Sequence, residues 1–288
     1  MAHTAGQLPA PRELGIIDNL SDALEAVDKL SNLTDAFACF RGHGSTSWSV
    51  LPSVFRQNRR VVESEYLMVR DIVSRFPDHF INDRSMFDRL VRMQHFGLPT
   101  RLLDVTSNPL VALYFATEPL DPSSDGALIT LQIPMERKKY YDSDSVSCIC
   151  NLANLKDTEK EIIRSTTAST ISDFHKLQPV DRLYQFIKEE KPHFSPRIKR
   201  DDLFRPYYVV PKLNNARIIA QNGAFIAFGL SSQSLNPVTR DIRMYFFRIP
   251  AAAKAGLRRS LRTLAIHAGS VFPEIDRASA QIVAEYGA

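Results

Sequence analysis

The segment QHFGLPTRLLDVTSNPLVALYFA, residues 94–116, changes character halfway along its length. Its first half is crowded with polar residues, and its second half is almost entirely apolar. Asn108-Pro109 marks a helix start, because Asn is a favoured N-cap and Pro is favoured at the first helical position. The helix that follows, over 110–117, is apolar nearly all round, so we expect it to be buried. The segment thus predicts a polar loop that leads into a buried helix.

The polar half of this segment is suited to both functional and structural roles. Thr106 and Ser107 precede the helix, where free N–H groups and the positive end of the helix dipole favour an anion. Their hydroxyls are equally suited to capping and turn formation. His95 is a candidate ligand contact, and its alternative is a plain histidine at the end of a helix.

Two further segments carry candidate site residues. CFRGHGSTSW, residues 39–48, predicts a strand that ends in Arg41-Gly42, where a guanidinium suits phosphate oxygens and a glycine lets backbone approach a ligand. The alternative is an Arg41 paired with a carboxylate such as Asp104. In RIIAQNGAFIAFG, residues 217–229, Gln221 precedes a strand and is either a ligand contact or an amide that bonds its own loop.

The remaining chain predicts an α+β fold. Apolar segments typical of strands lie at 36–40, 126–133, 207–210, 224–228 and 244–249. Helices are expected from Ser21, over 63–76, from a capping box at Ser85 to Gly97, and over 272–286. Strands and helices do not alternate regularly, which favours a single compact domain with a small mixed or antiparallel sheet flanked by helices. We expect residues 1–15 to be flexible, 16–288 to form the domain, and 151–192 to be a helical insertion or lid.

Composition excludes several classes of protein. With 288 residues, 44% hydrophobic and 24% charged, the chain is typical of globular proteins. A net charge of +4 permits an anionic ligand without indicating a nucleic-acid-binding protein. Three cysteines form no disulfide framework, and Cys148-x-Cys150 has the wrong spacing for a zinc knuckle, so no metal is expected. Without a signal peptide or a run of about 20 apolar residues, we expect a cytoplasmic protein with no membrane partner.

Three ordered blocks share a pattern with a known family. The first is Phe40-Arg41-Gly42 with Trp48, Leu51, Pro52 and Arg56; the second is residues 94–104 with Thr106, Asn108 and the helix over 112–116; the third is Arg217 with Gln221-x-Gly223-x-Phe225. Together with the closing VFPEID, residues 271–276, they resemble the FRG domain, a bacterial and phage family named for its F/Y-R-G motif. A family name does not establish a mechanism.

The order of these blocks also resembles ADP-ribosyltransferases of the R-S-E type. That resemblance implies an ADP-ribosyltransferase-like fold and NAD as the substrate, with Arg41 and Gly42 at its pyrophosphate or ribose. It also implies a nicotinamide-ribose pocket shaped by Thr106 and Ser107. Lining residues of the same cleft would be His95, Thr100 and Arg101.

The third motif departs from that family. Gln221 stands where those enzymes have a Glu that stabilises an oxocarbenium-like transition state, and a neutral amide cannot act as a general base. Asp104 is the first candidate to substitute, and Glu274 is the second. Without a substitute carboxylate, the chain would bind a nucleotide and catalyse nothing.

Three functional hypotheses follow. The first is an NAD-consuming ADP-ribosyltransferase or NAD glycohydrolase that acts as a bacterial toxin or phage-defence effector, with a protein or nucleic-acid acceptor and an antitoxin or defence-system partner. The second is a nuclease-type enzyme that uses His95, Arg101 and Asp104. The third is a non-catalytic module that binds a nucleotide or a protein, in which Asp104 pairs with an arginine.

Overall fold

The computed structural model describes residues 11–31, 36–119, 123–230, 241–273 and Val283. Within this part of the chain the strands are β1 (Arg12–Ile16), β2 (Ala36–His43), β3 (Leu102–Thr106), β4 (Gly126–Pro134), β5 (Lys138–Tyr140), β6 (Tyr207–Val210), β7 (Gly223–Ala227) and β8 (Arg243–Ile249). They form one open eight-stranded sheet in the order β1-β8-β4-β2-β3-β7-β6-β5. The α+β class is confirmed, and the sheet is larger than the small one that we predicted.

Helices pack against this sheet. Those described are α1 (Leu20–Ser31), α2 (Arg59–Glu63), α3 (Glu65–Arg75), α4 (Met86–His95), α5 (Pro109–Ala116), α6 (Asp144–Asn151), α7 (Asp157–Ser165), α8 (Ile171–His175), α9 (Gln178–Glu190), α10 (Ala216–Ala220), α11 (Ala251–Thr263) and α12 (Ala268–Val271). None of these described helices is long and apolar enough to cross a membrane.

The sheet is mixed, with parallel pairs only at its two edges. β1 pairs with β8 and β5 with β6 in parallel, whereas the central pairs β8-β4, β4-β2, β2-β3 and β3-β7 are antiparallel. β2 and β3 meet through Phe40 opposite Thr106, and β3 meets β7 with Thr106 opposite Gly223. This pairing brings the ends of three strands, and the polar residues that follow them, to one region of the sheet.

Helix α5 packs directly on the backbone of β2 and β4. A Cβ atom added at Gly42 would lie 1.9 Å from the carbonyl oxygen of Ala112, and one added at Gly126 would lie 2.1 Å from that of Ala116. Ala112 and Ala116 are themselves fully buried, so small residues meet on both sides of this contact. The apolar helix is therefore buried, as its composition predicted, and its distance from the sheet is set by glycine and alanine.

A second region of the core holds three buried charges. Glu65 on α3 accepts hydrogen bonds from Arg101 at 2.5 and 2.9 Å and from Lys160 of α7 at 2.7 Å, and all three side chains are at most 3% exposed. Arg101 also donates to the carbonyl oxygen of Phe228 at 3.0 Å. Each of the three buried charges therefore has a hydrogen-bonded partner of opposite charge, as a buried ion cluster requires. The cluster ties the segment at 151–192, which forms α7–α9, to the sheet.

Several features of the sequence led to different expectations. All five strands that we predicted are present, but β1, β3 and β5 were not anticipated, and β1 lies partly inside the segment expected to be flexible. Asn19, not Ser21, caps α1, since its side chain accepts from the backbone of Asp22 at 3.1 Å. The closing helix predicted over 272–286 lies almost wholly outside the described residues.

Candidate functional site

A cavity of about 690 Å³ opens where β2, β3 and α10 meet α5 and α11. It is lined by Phe40, Arg41, Gly42, Trp48, Asp104, Val105, Thr106, Phe115, Glu118, Pro119, Arg217, Gln221 and Arg258. Five residues that the sequence singled out for catalysis or ligand binding are among them: Arg41, Gly42, Asp104, Thr106 and Gln221. The structure therefore brings together residues from all three blocks of the sequence.

Arg41 is held in place through two of its N–H groups. Its Nε donates to Nε2 of His43 at 2.9 Å, and its Nη1 donates to the backbone oxygen of Asp104 at 2.6 Å. A guanidinium carries five N–H donors, so three are not used by any residue of the described chain. The alternative in which Arg41 pairs with the carboxylate of Asp104 is not what this geometry shows, because the contact is with the backbone. Arg41 therefore remains able to bind an anion in the cavity.

His43 is the buried residue that contacts Arg41 at this side of the cavity. It is 2% exposed, and its ring lies 5.9 Å from the ring of Trp48. Burial, with a smaller contribution from the positive charges of Arg41 and Arg56, lowers the pKa of His43 to about 3. The imidazole is therefore neutral near pH 7 and can accept the hydrogen bond from Arg41. Sequence patterns assign no role to His43, because a histidine after Arg-Gly matches no recognisable pattern.

Asp104 presents a carboxylate to the cavity. It lies on β3 with an exposed side chain, and its Oδ2 accepts a hydrogen bond from Nε2 of Gln94 at 2.7 Å. Gln94 in turn accepts a hydrogen bond from the hydroxyl of Thr100, a residue that is 1% exposed. Thr100 thus contributes by orienting Gln94, and Gln94 orients Asp104. No cation of the described chain forms a salt bridge with Asp104, so its charge is available to a ligand.

Thr106, Ser107 and Gln221 form a turn that closes one end of the cavity. Thr106 donates to the backbone oxygen of Gln221 at 2.6 Å, and Ser107 donates to that of Asn222 at 3.4 Å. Asn222 has a φ of 45°, a left-handed conformation that Asn tolerates better than most residues. The hydroxyls of Thr106 and Ser107 thus hold β3 against the turn after α10. The amide nitrogen of Gln221 donates to the backbone oxygen of Val271 at 3.2 Å. The amide oxygen of Gln221 accepts no hydrogen bond from a described residue.

The N-terminus of α5 is already capped by the chain itself. The side chain of Asn108 accepts from the backbone N–H groups of Leu110 at 2.9 Å and Val111 at 3.4 Å. An anion is therefore not needed to satisfy this helix end. Gly42 likewise has a structural explanation, since helix α5 occupies the space beside it that we had assigned to an approaching ligand.

His95 and Arg101 do not line the main cavity. Arg101 points into the core, where Glu65 binds it, so its side chain does not line the cleft as the resemblance implied. His95 lies in a side pocket of about 110 Å³ that shares Asp104, Arg217 and Gln221 with the main cavity. The two spaces are therefore contiguous, and Asp104 stands between them.

Several lining residues could not be found from the sequence. Arg258 of α11 contacts Glu118 at 2.5 Å and lies 3.9 Å from the ring centre of Tyr114. Arg217 lies 5.2 Å from the ring centre of Phe272. Neither arginine stands out among the charged residues of its helix. Arg258 reaches the cavity because α11 packs against α5, and Arg217 reaches it because α10 packs against β7 and α12.

Residues 37–125 match the family model described as FRG domain. This segment is similar to the FRG domain over about a third of the chain. The matched segment runs from β2 through α5 and supplies Arg41, Asp104 and Thr106, whereas Arg217, Gln221 and Arg258 reach the cavity from outside it. No curated protein and no solved structure gives a significant match to this chain.

The cavity combines cationic, acidic and aromatic groups. Arg41, Arg217 and Arg258 face the carboxylates of Asp104 and Glu118, and Phe40, Trp48 and Phe115 supply aromatic surface. Among the residues that the structure describes, no group of three or more His, Cys, Asp and Glu side chains is arranged to hold a metal ion. Glu274, our second candidate carboxylate, lies outside the described residues. Such a lining suits a ligand that has both an anionic part and an aromatic part.

Proposed function

We propose that this cavity binds a nucleotide, with NAD as the ligand. The observation that carries the proposal is that Arg41, with free N–H donors, and Asp104, with an unpaired carboxylate, line one cavity of about 690 Å³. A planar guanidinium is suited to the oxygens of a pyrophosphate, and cavities of about 300 to 1,000 Å³ accommodate ligands of nucleotide size. Trp48 offers an aromatic surface on which a base or nicotinamide ring can stack.

The proposed chemistry is cleavage of the glycosidic bond between nicotinamide and ribose. When this bond breaks, its electron pair leaves with nicotinamide and positive charge develops on the ribose. A carboxylate stabilises such an oxocarbenium-like state, and Asp104 is the group that we assign to this role. The ribose carbon is then attacked by water in a glycohydrolase, or by a nucleophile of a protein or nucleic acid in an ADP-ribosyltransferase, and the attacking group releases its proton to solvent. We assign to the amide oxygen of Gln221, whose amide nitrogen donates to the backbone oxygen of Val271, a hydrogen bond from a ribose hydroxyl.

NAD consumption would make this protein toxic to the cell that contains it. A bacterial toxin or phage-defence effector, controlled by a partner, is the biological role that we propose on that basis. The nuclease-type alternative is less well supported, because Arg101 is buried against Glu65 and cannot reach a substrate together with Asp104.

The test measures binding and turnover separately. NAD affinity by calorimetry and nicotinamide release are compared for the wild type, Arg41→Ala, Asp104→Asn and the exposed control Asp71→Asn. We expect Arg41→Ala to weaken binding, Asp104→Asn to abolish release while binding persists, and Asp71→Asn to behave as the wild type. NAD binding without release by the wild type would support the non-catalytic module, and the absence of both would refute the proposal.

A further inference from the structure

A second cationic region lies in the same cavity, apart from Arg41. Tyr114, Phe115 and Phe272 form an aromatic cluster with ring centres 5.7 to 6.4 Å apart. Arg258 lies over Tyr114, and Arg217 lies over Phe272. Two guanidinium groups are therefore fixed on one aromatic cluster, and both line the cavity.

The positive charge of this region is only partly neutralised. Glu118 accepts from Arg258 at 2.5 Å and from the hydroxyl of Tyr114 at 3.0 Å, so its carboxylate is committed to one of the two arginines. The side chain of Arg217 makes no hydrogen bond or salt bridge with a described residue. Among the residues that line the cavity, three guanidinium groups face the two carboxylates of Asp104 and Glu118, which leaves an excess of one positive charge.

One nitrogen atom of Arg258 is an unsatisfied donor. Its Nη1 is buried and has no hydrogen-bond partner among the described residues, although Nη2 of the same group binds Glu118. A buried donor without an acceptor destabilises a folded protein, and such groups call for a specific explanation. Arg258 also lines the cavity, so a ligand there could supply the missing acceptor if the guanidinium turns towards it.

We infer that Arg258 and Arg217 form a phosphoryl-binding subsite of this cavity. Phosphate oxygens accept from both nitrogens of a guanidinium, and an anion would balance the excess charge. The identity of the molecule that carries this phosphoryl group rests on the nucleotide proposed above, whereas binding of the phosphoryl group itself does not. Glu118 orients Arg258 but repels the anion, so the subsite is held below its full affinity.

Inorganic pyrophosphate is the probe that tests this subsite. Its affinity is measured by calorimetry at fixed, low ionic strength for the wild type, Arg258→Gln, Arg258→Lys and Glu118→Gln. Arg205→Gln is the matched control, because Arg205 also has a buried unpartnered nitrogen but does not line the cavity. Thermal unfolding of each variant establishes that it is folded.

We expect Arg258→Gln to weaken pyrophosphate binding about tenfold or more, because it removes a charged donor pair. Arg258→Lys retains the charge but not the planar guanidinium group. Its affinity for pyrophosphate should therefore lie between those of the wild type and Arg258→Gln. Glu118→Gln should bind pyrophosphate several-fold more tightly than the wild type, and Arg205→Gln should not differ from it.

The two proposals fail in different ways. If folded Arg258→Gln binds pyrophosphate as the wild type does, or if Glu118→Gln weakens binding as Arg258→Gln does, the subsite is overturned and the pair is purely structural. NAD turnover that requires Asp104 would survive that result. Pyrophosphate binding that depends on Arg258 in a protein without affinity for NAD would retain the subsite and refute NAD as the ligand.

Discussion

The imidazole of His43 accepts a hydrogen bond from Nε of Arg41 across 2.9 Å, inside the Phe-Arg-Gly motif itself. Only a neutral imidazole has a nitrogen that can accept, and burial together with the charge of Arg41 holds the pKa of His43 at about 3. The orientation of Arg41 therefore depends on a histidine that stays unprotonated across the physiological range.

This relationship predicts how stability depends on pH. The folded-state pKa of His43 lies below its unfolded value of about 6.5, so its contribution to the free energy of unfolding is complete above pH 6.5. It is lost progressively as the pH falls from about 6.5 towards 3, by about 2 kcal/mol at pH 5. His43→Gln keeps an acceptor for Arg41 but does not titrate. Urea unfolding at pH 7.5 and pH 5 should therefore show a larger loss for the wild type than for the variant, and equal losses would contradict the prediction.

Gly42→Ala should destabilise the fold severely. The added Cβ would lie 1.9 Å from the backbone oxygen of Ala112 and 2.4 Å from the backbone nitrogen of Ala116, where neither atom can move without shifting α5. We expect a loss of about 3 kcal/mol or more in the free energy of unfolding. Gly256→Ala is the matched control, because a Cβ there meets no atom within 4 Å. Gly256 lies inside α11, so its replacement by alanine should raise the free energy of unfolding by about 0.5 to 1 kcal/mol. A mild effect at Gly42 would show that its role is not this contact.

The buried cluster of Glu65, Arg101 and Lys160 predicts how much stability is lost when Glu65 is replaced. Burial alone would raise the pKa of Glu65, but Arg101 and Lys160 outweigh it and hold that pKa at about 2. Glu65→Gln leaves two buried cations without their counter-ion and should cost about 3 to 5 kcal/mol of stability. The control is Glu63→Gln, which breaks the exposed pair with Arg59 and should cost less than about 1 kcal/mol. Denaturant unfolding measures both, and similar small losses would mean that the cluster is not structural.

The helices and strands could be predicted from the sequence more fully than the functions of individual residues within them. Five apolar segments gave five strands, and Asn108 and Ser85 cap α5 and α4 as expected, because these are local patterns with local causes. β3 was missed since Asp104 interrupts its apolar run, and the strand exists because β7 pairs along its whole length. The buried helix α5 was predicted correctly, but the reason that Gly42 precedes it became clear only from the contact between them.

The site was predictable in part for the same reason. Arg41, Asp104 and Gln221 do meet in one cavity, and the order of the sequence blocks indicated that they would. The sequence suggested that Arg41 and Arg101 both line the cleft. Arg101 is instead buried against Glu65, which is 36 residues away, whereas Arg41 lines the cavity. Arg258 follows an ordinary amphipathic pattern, and its place beside Tyr114 depends on how α11 packs. Such partners are determined by tertiary structure, which single-sequence patterns do not encode.

Gln94 is the residue that we expect to position Asp104, and its removal is the most specific test of that role. Gln94→Leu deletes the donor that fixes Oδ2 of Asp104 at 2.7 Å and the acceptor that Thr100 uses. We expect kcat for nicotinamide release to fall by about ten- to a hundredfold with little change in KM, because misorientation affects the transition state more than binding. Loss of the Thr100 contact should cost about 1 to 2 kcal/mol of stability, which leaves the protein folded.

Gln185→Leu is the control for this change. Gln185 also donates to an aspartate, Asp181, at 3.4 Å, but it lies on α9 and does not line the cavity. It should leave kcat and KM unchanged. A rise in KM with kcat preserved in Gln94→Leu would show instead that Gln94 contacts the substrate, and unchanged kinetics would show that Asp104 needs no such support. Because Asp104 stands between the main cavity and the side pocket of His95, the same variant also reports whether the carboxylate must be held towards the main cavity for the reaction to occur.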